Sequence, residues 1–161
     1  MRGGVLPPAL LFAALGLALA FAPARARAWG LVSLMVTLAA LSFVPVSHGW
    51  LETAFLGCWV SVAVTAAAVH IPQGTRMAGA LVLSVNAGIW ASVVVALSGT
   101  RLDLVEAVPC ALLVLPASWL VAKRASIAVK VASSWLIAIA MLAAVLPFLA
   151  VTPGYMPDHL E

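Results

Sequence analysis

Charge is what this chain has least of: eight Lys and Arg and five Asp and Glu among 161 residues, or 8%. A water-soluble domain carries roughly a quarter of its residues as these four types. The shortage excludes a solvated globular surface. Clustered basic residues are lacking as well: the apparent pI of 9.4 rests on a net charge of only +3, which excludes a nucleic-acid-binding face as the main role. Catalytic patterns are also missing. The sequence holds no Ser/His/Asp set, no paired acids within an apolar run, no metalloprotease helix motif and no CxxC, so an enzyme is not expected.

What is there is hydrocarbon, 65% of the residues, and the few charges divide it into uncharged intervals: 3–24, 28–51, 53–75, 77–100, 107–122 and 131–157. A helix needs about 20 apolar residues to cross a hydrocarbon core of about 30 Å. Five intervals meet that length, and 107–122 falls short. The expected fold is therefore an all-α membrane protein, a compact bundle of six transmembrane helices over about 5–22, 29–47, 53–70, 78–98, 107–122 and 131–151, forming one integral membrane domain. The loops between these helices leave no room for a soluble domain.

With that spacing, Arg25, Arg27, Arg76, Lys123, Arg124 and Lys130 fall on one side of the membrane. Arg2, Arg101 and all five acids, Glu52, Asp103, Glu106, Asp158 and Glu161, fall on the other. Basic residues in short loops are retained in the cytoplasm. Both termini are thus expected outside, in a prokaryotic inner membrane. The alternative is a cleaved signal peptide ending near Ala22 or Ala28. It would invert every later loop and put the basic residues outside. Trp29 and Trp135 are expected at the inner boundary and Trp50 at the outer one, where amphipathic rings settle, whereas Trp59, Trp90 and Trp119 read as packing residues.

Small residues let membrane helices approach closely. The fourth helix carries Ala80, Ser84, Gly88, Ser92 and Ala96 at intervals of four, and the third carries Thr53, Gly57, Ser61 and Thr65. The simplest arrangement opposes these two stripes in an antiparallel hairpin. The fifth helix is short, with 16 uncharged residues over 107–122, and kinked: Pro116 should free the carbonyl of Leu112, whereas Pro109 sits in the first turn, where proline is tolerated. Asn86 is the one strongly polar side chain near the middle of a span. It needs a partner, either Ser or Thr on a neighbouring helix or the Leu112 carbonyl.

The last pairing would make Asn86, Leu112 and Pro116 a polar site within the membrane, as expected of a small-solute carrier or channel-like protein. An outer-surface metal site built from His48, Glu52 and His159 is a further reading, with nitrogen and oxygen ligands suited to zinc or copper. Cys58 and Cys110 enter the membrane from one side and can pair if their helices touch. Haem is disfavoured because His48 and His70 lie at opposite ends of their helices, and no cofactor is expected. The leading expectation is a structural or accessory subunit of a larger membrane complex. Its partners would be the lipid bilayer and either other membrane subunits or further copies of itself, with no nucleic acid.

Overall fold

The computed structural model describes residues 5–44, 46–72 and 75–148, with the backbone alone at His48 and Arg101. Every regular element among the described residues is helical. In chain order they are α1 (Leu6–Leu19), α2 (Ala24–Leu41), a 3₁₀ turn (His48–Trp50), α3 (Leu51–Ala67) extended by a 3₁₀ turn (Ala68–His70), and α4 (Met77–Ser98). They continue as α5 (Arg101–Ala107), a 3₁₀ segment (Val108–Leu113), α6 (Val114–Ala122), α7 (Ser126–Val145) and a closing 3₁₀ turn (Leu146–Phe148).

Five spans are long and apolar enough to cross a membrane: Ala24–Leu41, Leu51–His70, Met77–Ser98, Leu102–Ala122 and Ser126–Phe148. This is the character of an integral membrane protein. The expected first span over 5–22 is instead a helix of 14 residues, about 21 Å long at the α-helical rise. Pro7 and Pro8 sit in its first turn. At the other end, Pro23 adopts an extended conformation as the N-cap of α2 and separates the two helices. That cap also starts α2 at Ala24 rather than 29, so Arg25 and Arg27 belong to its first turn and not to a loop.

Helix α1 is the centre of the molecule. Leu11, Phe12, Ala14, Leu15, Ala18 and Leu19 are fully buried, against α3, α4 and the α5–α6 region. A helix apolar on every face is suited to such a position. Around it, α2 packs on α4, α4 on α3, α3 on α7, and α7 on α6.

The helix directions follow from side-chain contacts. Ser61 meets Asn86, and a Cβ on Gly57 would run into the Trp90 ring, so α3 and α4 are antiparallel. A Cβ on Gly30 would touch Ser84, and one on Gly88 would touch Thr37, so α2 and α4 are parallel. The Ser133 hydroxyl donates to the Ala66 carbonyl at 2.6 Å, and the Thr75 hydroxyl donates to the Ala18 carbonyl at 3.1 Å, tying the α3–α4 connection to the end of α1. One end of the bundle therefore carries Arg25, Arg27, Arg76, Lys123, Arg124 and Lys130. The opposite end carries Glu52, Asp103 and Glu106.

Candidate functional site

Polar groups at depth are few enough to follow individually. Asn86 projects from α4, and its amide nitrogen donates to the Ser61 hydroxyl of α3. One turn further along α4, the Trp90 ring lies over Gly57, the residue one turn before Ser61. Asn86 and Trp90 thus form a single i, i+4 row set against Gly57 and Ser61. Gly57 has no side chain to occupy the space the indole takes.

This arrangement corrects the expected pairing of stripes. Ser84 and Gly88 face α2 instead of α3: a Cβ added to Gly30 would lie 3.0 Å from Ser84 Oγ, and one added to Gly88 would lie 2.8 Å from Thr37. Small residues opposite large ones fill space better than two small rows facing each other. The small row of α3 receives Trp90, and that of α4 receives Leu34 and Thr37 of α2. The hydroxyls of Thr65, Ser84 and Ser92 and the indole nitrogen of Trp59 are buried without a partner among the described residues.

The second feature is the break between α5 and α6. A capping box at Thr100 and Asp103 starts α5, with the Asp103 carboxylate accepting from the Thr100 amide at 2.8 Å. Pro109 and Pro116 lack the amides that would reach the carbonyls four residues back; the chain winds as a 3₁₀ helix over Val108–Leu113, which includes Pro109, and Pro116 falls in the first turn of α6. The expected kink is thus a full change of helix type. The break rests on Gly16 of α1, where an added Cβ would lie 3.0 Å from both the Ala111 carbonyl oxygen and the Val114 nitrogen. Leu112 is 54% exposed on the outside of the bundle. Asn86 and Leu112 are not brought together: the amide is donated to α3, and Leu112 lies on a different element.

Of the proposed metal trio, Glu52 lies in the first turn of α3 and is exposed. The His48 side chain and His159 lie outside the described residues. No group of three or more His, Cys, Asp or Glu among the described residues is placed to hold a metal ion. Cys58 is buried in α3, and Cys110 is half-buried in the 3₁₀ segment, each a free thiol. His70 is exposed, with its Nε2 3.4 Å from the Ser134 hydroxyl. Trp119, expected to pack inside, is exposed and lies beneath the Lys123 ammonium at 5.9 Å.

Two grooves open at the acidic end, and neither was anticipated from the sequence. One, about 770 Å³, runs between the last turns of α2 and α4 and the α5 region, lined by Leu38, Phe43, Ser92, Val95, Leu104 and Val105 among others. The other, about 460 Å³, lies between the start of α3, the end of α4 and the Leu146–Phe148 turn, and includes Glu52. Comparison with protein-family models, with curated proteins and with solved structures finds no match in any of the three.

Proposed function

We propose that this chain is a structural or accessory subunit of a larger assembly in a prokaryotic inner membrane, with both termini on the non-cytoplasmic side. The observation that carries the reading is the Asn86 to Ser61 hydrogen bond, which uses the most polar side chain of the buried spans to join two helices. A carrier site at Asn86 and the broken span would need that amide turned toward Leu112, which is exposed elsewhere. The outward faces offer contact area instead. Helix α7 presents Ile127, Val131, Trp135 and Leu142, all more than half exposed, and α2 presents Trp29 and Val36. Both serve equally for lipid and for neighbouring helices, where van der Waals packing drives association. The reading assigns the chain no catalytic step, metal or cofactor.

The test is purification of the full chain in a mild detergent, followed by native mass spectrometry. A monodisperse complex containing other polypeptides is expected. An isolated monomer or homodimer that moves a solute across liposomes overturns the proposal in favour of a carrier.

A further inference from the structure

The smaller groove at the acidic end has walls of two kinds. Phe55, Leu56, Val94, Leu97 and Phe148 supply hydrocarbon, and Glu52 supplies the only charged side chain in the lining. The Glu52 carboxylate has no hydrogen-bond or ion-pair partner among the described residues. The volume of about 460 Å³ falls within the range of small-molecule sites, which are mostly apolar with a few placed polar groups. From this combination we infer that the groove binds an amphipathic cation, an ammonium carried on a hydrocarbon tail. The tail lies along Phe55, Leu97 and Phe148, and the ammonium sits at the Glu52 carboxylate.

Charge selects the occupant. An exposed carboxylate at the rim of apolar walls attracts the charged end of a cation and leaves the walls to its hydrocarbon. Asp103 and Glu106 at the same end, against the single cation Arg101, add a net field of the same sign. A bare metal ion does not suit the groove, since hard divalent cations take six or more oxygen ligands and the lining offers one carboxylate among hydrocarbon. An alkylammonium needs no such shell. Its methylene and methyl groups match the apolar walls. A neutral or anionic amphiphile would fill the same walls and leave Glu52 without a counter-charge.

The experiment uses the full chain in a non-ionic maltoside detergent with an octyltrimethylammonium probe carrying a photoreactive diazirine on its tail, and maps the crosslinks by peptide mass spectrometry. Saturable labelling at Phe55, Leu97 or Phe148 is expected. Glu52→Gln should reduce it about two- to fivefold, the scale of one exposed ion pair. Leu56→Trp, which narrows the groove and keeps the carboxylate, should reduce it as well. Val105→Trp, in the neighbouring groove, should leave it unchanged. Glu52 is exposed, so Glu52→Gln should fold, and an unchanged unfolding midpoint verifies this. Equal labelling of wild type and Glu52→Gln, equal labelling by an uncharged octyl probe, or non-saturable labelling across the outward faces overturns the inference. None of these outcomes depends on whether the chain purifies with partners.

Discussion

At the scale of single residues, Asn86 shows how little polarity such a bundle needs to fix the register of two helices. Its amide, the Ser61 hydroxyl, Gly57 and Trp90 occupy one antiparallel seam, and sliding α3 by a turn in either direction would replace Gly57 beneath the indole with a side chain, Ser61 or Thr53. Hydrogen bonds between membrane helices average about 0.6 kcal/mol by double-mutant cycles. A cycle of Asn86→Ala and Ser61→Ala, read by unfolding in mixed detergent, should return a coupling of about that size, and a coupling near zero would show the bond to be incidental. The thiols offer a test of burial. Maleimide should label Cys110 but not Cys58 in the folded, detergent-solubilised protein, and both after denaturation, because Cys58 is fully buried. The need of Asn86 for a partner was legible in the sequence, since the amide stands alone in an apolar run. The identity of the partner was not. A row of small residues announces a close approach and does not say which helix makes it, so Ser84 and Gly88 could be assigned to α3 when their contact is with α2.

At the scale of elements, the broken span and α1 belong together. An irregularity in this span can be foreseen from its prolines, but as a kink at Pro116; the change to 3₁₀ helix occurs at Val108–Leu113 around Pro109, and Pro116 lies within α6. That the break lies on Gly16 is a tertiary fact, because a helix apolar on all faces looks the same whether lipid or protein surrounds it. At Gly16 a methyl group would press on backbone, which yields less readily than a side chain. Gly16→Ala should therefore destabilise the fold by about 1–3 kcal/mol, the usual cost of overpacking. Gly49→Ala should be near neutral, because its nearest neighbour would lie 3.9 Å away. Unfolding midpoints of the two variants in one detergent decide the point. The α6–α7 connection permits the opposite change. Arg124 holds a left-handed conformation at φ 62°, and the Ala125 amide reaches the Leu120 carbonyl at 2.9 Å, the arrangement that commonly ends a helix with glycine. Arg124→Gly should stabilise the fold by about 1 kcal/mol through removal of left-handed strain, and a lowered unfolding midpoint would show that the guanidinium makes a compensating contact.

At the scale of the whole molecule, the thirteen charges act together and not pair by pair. All basic residues of the described helix ends except Arg101 gather at one end, and Glu52, Asp103 and Glu106 gather at the other. Both this segregation and the alternation of helix direction were readable from the spacing of charges, because a charge within hydrocarbon costs several kcal/mol and is confined to span ends. The grooves at the acidic end were not readable, since they arise where turns from distant parts of the chain converge. Basic residues in short connections are held in the cytoplasm, so the polarity of the bundle predicts its orientation. A reporter active only in the cytoplasm should be silent when fused after Glu161 and active when fused after Gly74, between Thr75 and the end of α3. Replacing Arg25 and Arg27 with Gln should raise the fraction of chains in which the first fusion is active, because these two residues, in the first turn of α2, are the first basic pair of the cytoplasmic end in chain order. Strong activity after Glu161 in the unmodified chain would reverse the orientation and place the Glu52 groove on the cytoplasmic side.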